Sequence, residues 1–261
     1  MGPTSDPRDR PISNAELLAS LRVADDAVLI GGQALAFWLA YFNLPLPPGP
    51  RTLLSNDADF LGMQRHVILF AKVLGGRVEY PSPHQLSALC GAVVKSTPAG
   101  PRILVDVLRS VVGLEAEGVR KRAIAVSHPT DSTIRFAVMN PVDCLISRFE
   151  NLRQLPDKRT GVGVWQAETS IPVCRAYLEK LLSLEQEPAA IKAATRILRL
   201  AGTAPGLQAS RNYALEPIAA IPVEDFGSAA FRTRQYAKVV SRIQVLRDTY
   251  QVPPARKNRP R

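Results

Sequence analysis

The sequence predicts an α/β (α+β) mixed sheet in the first half of the chain, followed by a helical bundle domain. Before Asn140, short segments rich in Val, Ile and Leu alternate with segments of helical periodicity. After Asn140, apolar residues recur at spacings of three and four over long stretches, which is typical of packed helices. This order of elements favours a sheet with helices against it, and then a separate group of helices.

Turn residues bound each predicted strand, and prolines cluster at 45–50, 81–83 and 253–260, where they indicate loops and a tail. The predicted strands are Ala27–Ile30, Ala58–Leu61, Arg77–Tyr80, Ile103–Leu108, Ala123–Val126 and Thr133–Val138. The helices predicted between them are Asn14–Leu21, Gln33–Phe42 and Gln64–Leu74. The helices predicted in the second half are Val142–Leu152, Ile171–Leu184, Ala189–Ala201 and Arg234–Tyr250.

The composition excludes a disordered or fibrous protein. The chain has 261 residues, of which 46% are hydrophobic and 21% charged, enough to bury one large core or two smaller ones. We expect a disordered N-terminus at 1–12, a sheet-containing domain at 13–139, a helical domain at 140–250 and a basic tail at 251–261. No apolar run approaches the roughly 20 residues of a membrane span, and the first twelve residues contain no apolar signal segment.

Three cysteines, Cys90, Cys144 and Cys174, match neither a zinc spacing nor a disulfide framework. A reducing cytosol is the simplest environment for them, so we expect a cytoplasmic protein with no membrane partner. The three histidines are far apart in the sequence and lack metal-ligand spacing, so we expect each on a helix surface or in a loop. Trp38 lies within an apolar helix and is expected in the core.

The charge is unevenly distributed. Lys and Arg number 33 against 23 Asp and Glu, a net charge of +10. Residues 1–139 hold 14 basic and 12 acidic side chains, whereas residues 140–261 hold 19 and 11. In the last predicted helix, Arg234, Lys238, Arg242 and Arg247 fall near one face. This stripe predicts a nucleic-acid partner, and a simply solvated face of an amphipathic helix is the alternative.

Gly31 and Gly32 follow the apolar residues Leu29 and Ile30 and open a helical pattern. A strand that enters a helix through two glycines turns tightly and directs helix N–H groups outward, a geometry suited to phosphate. The same glycines are also compatible with a purely steric role at the turn. Neither the P-loop spacing nor the dinucleotide fingerprint is present.

Three aspartates complete the pattern. Asp57 and Asp59 stand at i and i+2 on a strand-like segment, so their carboxylates project from one face. Hard oxygen ligands of this kind suit Mg²⁺, and an exposed acidic turn is the alternative. Asp106 lies in the middle of an apolar strand, where a lone carboxylate is costly unless it is metal-bound or paired, for example with Arg109 or Arg135.

These motifs, in this order, resemble those of the nucleotidyltransferase-fold superfamily, in particular its small bacterial members of the abortive-infection and toxin–antitoxin type. The resemblance implies a nucleotidyltransferase-like mixed sheet in which Gly31 and Gly32 face a nucleoside triphosphate. Asp57, Asp59 and Asp106 would bind two Mg²⁺ ions, and Asp106 would act as base toward the acceptor hydroxyl. Ser55 would touch phosphate.

The resemblance extends to Arg148, which matches a basic residue that reaches the triphosphate in that group. Its planar fork suits bidentate phosphate contact. Lys158 and Arg159 are further candidates for phosphate or acceptor contact, and an ordinary surface cation is the alternative for each of the three. Gly161 and Gly163 indicate a flexible loop beside them, either a lid or a plain connection.

The expected activity is transfer of a nucleoside monophosphate from a nucleoside triphosphate to a hydroxyl of RNA, protein or a small molecule, with ATP and CTP equally compatible. Expected partners are tRNA or another nucleic acid on the basic helical half and an antitoxin protein. The alternative is a catalytically inactive module of the same fold that binds nucleic acid or a partner and acts as a toxin–antitoxin component. That module would bind in a salt-dependent way and transfer nothing.

Overall fold

The computed structural model describes residues 10–250 apart from 51–53, 83, 85, 86, 99, 129, 130 and 160. Residues 1–9 of the expected disordered N-terminus and the expected basic tail at 251–261 lie outside the described residues. The remaining residues of that N-terminal segment are held in place, contrary to expectation. Ile12 is buried and its N–H donates to the carbonyl oxygen of Asn56, and the carbonyl oxygen of Pro11 accepts from Arg102 Nη1.

The mixed sheet that the sequence predicts is present, and among the described residues it contains seven strands. They are β1 (Val28–Ile30), β2 (Ala58–Leu61), β3 (Arg77–Glu79), β4 (Leu89–Thr97), β5 (Gly100–Leu108), β6 (Ile124–His128) and β7 (Asp131–Val138). Their order across the sheet is β3-β4-β5-β2-β1-β7-β6. The pairs β1–β7 and β2–β5 are parallel, and the other neighbours are antiparallel.

Strand β4 has no counterpart in the sequence-based prediction. Only the centre of the strand, Ala92 to Val94, is continuously buried and apolar, and its ends carry Gly91 and Lys95. The strand is stabilised by its long antiparallel pairing with β5, which itself begins at Gly100 rather than at Ile103. Pairing between neighbouring strands therefore extends both strands into residues that would not form a strand by propensity.

Four helices accompany the sheet: α1 (Asn14–Arg22), α2 (Gly31–Tyr41), α3 (Gln64–Leu74) and α4 (Ala116–Arg122). The first three match predicted segments, and the short α4 was missed. Helix α1 begins with a capping box, in which Ser13 and Glu16 bond each other's backbone N–H groups. Helix α2 starts at Gly31, directly after β1, so the expected turn from strand to helix is present.

The second half is helical: α5 (Pro141–Gln154), α6 (Gly161–Ser183), α7 (Glu187–Ala201), α8 (Ala204–Tyr213), a π-helical segment (Ala230–Tyr236) and α9 (Ala237–Thr249). Short 3₁₀ turns lie at Pro156–Lys158, Pro217–Ala220 and Val223–Asp225. Each of the four predicted helices has a counterpart among these, and α8 was missed. None of the described helices has both the length and the apolar character needed to cross a membrane.

Helix α6 corrects the prediction of a flexible loop at Gly161 and Gly163. Both glycines lie in the first turn of the helix, which continues through Pro172. The absence of a side chain at Gly163 is required, because a Cβ there would lie 1.8 Å from the carbonyl oxygen of Lys158. Tertiary packing thus overrides the weak helix propensity of glycine.

Two hydrophobic clusters fill the interior. The first packs the sheet against its helices and contains Trp38, as expected, with the indole N–H donating to the carbonyl oxygen of Met139. Cys144, Trp165 and Val173, from α5 and α6, also belong to this cluster. The second cluster lies among the helices from α5 onward. Helices α5 and α6 therefore pack on the sheet-bearing half as well as on the other helices.

Candidate active site

The three predicted aspartates converge at adjoining positions of the sheet. Asp59 in β2 is directly opposite Asp106 in the parallel neighbour β5, and opposite Ile30 in the antiparallel neighbour β1. Asp57 immediately precedes β2. One carboxylate oxygen from each aspartate lies within 4.8 Å of the other two. All three side chains are half-buried, and together they could hold a metal ion.

Electrostatics support a cation at this point. Burial, together with the neighbouring charges of Asp57 and Asp106, raises the pKa of Asp59 to about 8 against the opposing effect of Arg148 and Lys158. Three carboxylates this close repel one another unless protons or a cation offset their charge. An oxygen-only donor set is the one that Mg²⁺ and similar hard ions prefer. The residues present therefore fit a divalent cation.

The glycine turn lies directly against these carboxylates. Gly31 has φ of +70°, and a Cβ at this position would lie 2.0 Å from Asp59 Oδ2. At Gly32, a Cβ would meet Ser55 Cβ at 2.5 Å and the carbonyl oxygen of Leu54 at 2.9 Å. Gly31 thus permits the close approach of helix α2 to Asp59, and Gly32 permits its close approach to the loop at Leu54 and Ser55. The start of that helix lines the same cleft.

Ser55 adjoins the first aspartate. Its hydroxyl donates to Asp57 Oδ1 at 3.0 Å, and its carbonyl oxygen accepts from Gln33 Nε2 at 3.2 Å. The hydroxyl thereby orients one carboxylate of the triad. In the structure its hydrogen-bond partner is Asp57, and contact with phosphate stays a prediction.

A cleft of about 420 Å³ joins these groups. Of the site residues predicted from the sequence, all but Arg159 line it: Gly31, Gly32, Ser55, Asp57, Asp59, Asp106, Arg148 and Lys158. The sheet contributes the carboxylates, α2 contributes the glycines, and α5 with the following 3₁₀ turn contributes the two cations. One wall of the cleft is thus acidic and the facing wall is basic, an arrangement suited to a metal–phosphate ligand.

Arg148 is the more enclosed of the two cations. Its Nη1 donates to Gln166 Oε1 at 2.9 Å, and its Nε is buried with no hydrogen-bond partner among the described residues. Burial lowers the pKa of Arg148, while its electrostatic interactions with Cys144 and Asp59 oppose that effect. A guanidinium remains protonated in proteins, so this cleft holds a permanent positive charge with unused donors.

Lys158 is 48% exposed at the rim of the cleft, and its nearest carboxylate is Asp157 at 3.6 Å. Arg159 does not line the cleft, contrary to its suggested role. Its Nε and Nη2 donate to the carbonyl oxygens of Leu152 and Arg153, where α5 ends. Arginine side chains at a helix C-terminus satisfy carbonyls that have no partner within the helix.

Several cleft residues were missed by the sequence-based reasoning. Ser147 and Asn151 lie beside Arg148 on α5, and their spacing along that helix was an available signal. Gln166 lines the cleft from α6, between the predicted loop at Gly161 and Gly163 and the predicted helix Ile171–Leu184, in a stretch where no periodicity pointed to it. The segment 108–112 also contributes to the wall after β5 ends.

His66 differs from the expected surface position. It is 1% exposed, its Nδ1 accepts from the N–H of Met63, and its Nε2 lies 2.8 Å from Asp26 Oδ1. It holds the first turn of α3 and is not part of the cleft. Its role is that of a helix cap supplied by an imidazole rather than by a hydroxyl.

No protein-family model matches the chain, and no curated protein matches it. A solved structure described as an antigenic nucleotidyltransferase-like protein from Paracoccidioides brasiliensis is similar at 14% sequence identity and a TM-score of 0.36. The matched region covers 70% of this chain and 95% of that chain. A likeness at this level assigns neither a fold family nor an activity to the chain.

Proposed function

We propose that this protein is a Mg²⁺-dependent nucleotidyltransferase that moves a nucleoside monophosphate from a nucleoside triphosphate to an acceptor hydroxyl. The observation that supports it is the convergence of Asp57, Asp59 and Asp106 beside the turn at Gly31 and Gly32. The basic residues of α5 and the following turn share the same cleft. Carboxylates for a metal and cations for phosphate in one space are what such a transfer requires.

The three aspartates would hold the metal, with two ions proposed. When bound, Mg²⁺ supplies neutralisation of phosphate charge and a lowered pKa of the acceptor hydroxyl. Ser55 orients Asp57 by its hydrogen bond, and Asp59 lies at the glycine turn, where its raised pKa of about 8 favours exchange of a proton for a cation near neutral pH.

The other residues bind and orient the triphosphate. The N–H groups at the start of α2 and the side chains of Arg148 and Lys158 would contact its phosphate oxygens. The acceptor oxygen then attacks the α-phosphorus in line, the bond from that phosphorus to the bridging oxygen breaks, and pyrophosphate leaves. The proton of the acceptor hydroxyl passes to a carboxylate oxygen of Asp106, the base in this proposal.

We propose nucleic acid, tRNA among its forms, as the acceptor. Arg232, Arg234, Lys238 and Arg242 are all exposed along the π-helical segment and α9. They have no carboxylate partner among the salt bridges of the described residues. Arg247, a predicted member of the stripe, is instead 19% exposed and pairs with Glu216, so it is not part of the surface. Exposed unpaired cations along one helical segment form a positively charged surface that suits binding of a polyanion such as nucleic acid.

Transfer is tested by incubating the protein with Mg²⁺, total RNA or total protein, and each of the four α-labelled triphosphates in turn. Wild type should label one acceptor class, and Asp57→Ala should label none. Equal labelling by both proteins would contradict the proposal.

Acceptor binding is tested by measuring RNA affinity between low and high salt. We expect the affinity to fall steeply with salt, and less steeply when Arg234 and Arg242 are replaced by alanine. Salt-dependent RNA binding together with no transfer to any acceptor would favour an inactive nucleic-acid-binding module. An antitoxin partner is proposed as well, and co-purification of a protein that blocks transfer would support it.

A further inference from the structure

Gln166 connects the two walls of the cleft. It lies in α6, is 9% exposed and lines the cleft. Its Oε1 accepts a hydrogen bond from Arg148 Nη1 at 2.9 Å, and its Nε2 donates to the carbonyl oxygen of Leu54 at 2.5 Å. One amide therefore contacts the buried cation on one side and the loop that leads to Ser55 and Asp57 on the other.

Arg148 has N–H donors beyond the one that bonds Gln166. A guanidinium carries five N–H groups, and the side-chain bond described for Arg148 uses Nη1 alone, while the buried Nε has no hydrogen-bond partner among the described residues. A desolvated cation in this state favours an anion that enters the cleft. Arg148 shares the cleft with Asp57, Asp59 and Asp106, and an ionised carboxylate among them attracts it. Without a restraint, it would move toward the aspartates and pair with them instead.

The chemistry of an amide suits this restraint. A carboxylate at position 166 would also accept from Arg148, but it would cancel the positive charge that recognises phosphate. An apolar side chain would leave the guanidinium unrestrained. The neutral Oε1 of Gln166 orients the cation and keeps its charge available.

The second bond of the amide fixes the other wall. The carbonyl oxygen of Leu54 precedes Ser55, whose hydroxyl bonds Asp57. The distance between the phosphate-binding cation and the first metal-binding carboxylate is therefore set through a single side chain. This link joins α6 to the loop that leads into the central strand β2, and it is nearly closed to solvent.

We propose that Gln166 is a positioning residue that holds Arg148 apart from the aspartates, so that the charge of Arg148 stays available to the phosphates of the substrate. The same side chain fixes the position of Arg148 relative to the loop 54–57. The proposal rests on the proposed function of the cleft. It extends that function by assigning a role to a residue that touches neither the reacting atoms nor, in this scheme, the metal.

The test measures binding of pyrophosphate in excess Mg²⁺ by calorimetry, which needs no acceptor and no turnover. Gln166→Met removes the charge-assisted hydrogen bond that holds Arg148, and Gln166→Glu loses the bond to the carbonyl oxygen of Leu54, so each should weaken binding by about tenfold or more. Gln166→Glu should have the larger effect, since it also neutralises Arg148. Thr169→Val is the matched control: Thr169 is buried on the same helix, bonds only the carbonyl oxygen of Trp165 there, and should leave the affinity unchanged.

A double-mutant cycle separates positioning from a general structural effect. In an Arg148→Met background, Gln166→Met should cause no further loss of pyrophosphate affinity, because its effect passes through Arg148. Thermal unfolding of each variant shows whether it is folded, and if Gln166→Glu does not fold, the Gln166→Met cycle decides alone. An unchanged affinity in folded Gln166→Met, or an equal loss with and without Arg148, would overturn the proposal.

The outcomes also distinguish this proposal from the proposed function. Wild type that binds pyrophosphate through Arg148 and Gln166 but transfers no nucleotide would leave the positioning role intact and contradict the transferase. If wild type transfers nucleotide, and the Gln166 variants change neither the KM of that transfer nor the affinity for pyrophosphate, only the positioning role is contradicted. Wild type that binds no pyrophosphate would overturn both.

Discussion

Replacing Asp59 with asparagine should stabilise the metal-free protein while abolishing transfer. Burial, and then the charges of Asp57 and Asp106, raise the pKa of Asp59 from its usual 3.8 to about 8. The folded protein therefore keeps a proton on Asp59 at pH values where the unfolded chain has lost it. Asparagine has almost the same shape and carries no charge at any pH, so it removes this penalty.

The sign and magnitude follow from linkage. Because the folded-state pKa is raised, the contribution of Asp59 to stability is fully present below pH 3.8 and is lost as the pH rises to about 8. Each pH unit within this window changes the free energy of unfolding by about 1.4 kcal/mol. At pH 7, Asp59→Asn should therefore be more stable than wild type by up to roughly 4 kcal/mol, and by much less at pH 5.

The assay is urea unfolding of wild type and Asp59→Asn in EDTA, from pH 4.5 to pH 8.5. The difference in unfolding free energy should grow with pH, and Mg²⁺ should reduce it by stabilising only wild type. Asp26→Asn is a control of opposite sign, since the hydrogen bond from Arg65 lowers the pKa of Asp26 to about 2. A difference that does not change with pH, or an Asp59→Asn protein less stable than wild type at pH 8, would refute the reasoning.

Three further perturbations have defined outcomes. Gly31→Ala should abolish transfer and destabilise the fold, because the new Cβ would lie 2.0 Å from Asp59 Oδ2 at a residue whose φ is +70°. Gly161→Ala is the control and should retain activity, because the nearest atom to its Cβ would be 3.9 Å away. Asp143→Asn should lower unfolding stability by about 3 kcal/mol in a urea titration, because this fully buried carboxylate pairs with Arg122, and the folded variant should still transfer nucleotide. Metal binding at pH 7 should release about one proton, seen as a buffer-dependent calorimetric enthalpy, because Asp59 has a pKa of about 8.

Each of these outcomes has a counter-result. Full activity in Gly31→Ala would show that the turn does not need its close approach to the carboxylate. Loss of activity in Asp143→Asn at unchanged stability would place that residue in the reaction rather than in the fold. An enthalpy independent of the buffer would show that Asp59 is already ionised before the metal binds.

The aspartates of the cleft could be predicted from the sequence, but their arrangement could not. The spacing of Asp57 and Asp59 predicts that both carboxylates project from one side of a strand-like segment, and a lone acid in an apolar strand marked Asp106. What the spacing could not provide is the sheet order that places β5 beside β2 in register. That pairing depends on contacts distant in the sequence, which local patterns do not encode.

The basic wall was only partly predictable. Arg148 was found through the superfamily resemblance, but Gln166 was hidden because Gly161, Gly163 and Pro172 weaken the helical pattern of α6. In the structure Gly163 packs on the carbonyl oxygen of Lys158, where a Cβ would lie 1.8 Å away. Such a contact is visible only in the folded chain.

Comparing transfer of α-labelled and γ-labelled forms of the same triphosphate, with Mg²⁺ and the acceptor pool, tests the proposed chemistry most directly. Attack on the α-phosphorus should move the α-label to the acceptor and release the γ-label as pyrophosphate, and both events should require Asp106 and be absent in Asp106→Asn. A γ-label that appears on the acceptor, or labelling that survives in Asp106→Asn, would contradict nucleotidyl transfer at this cleft.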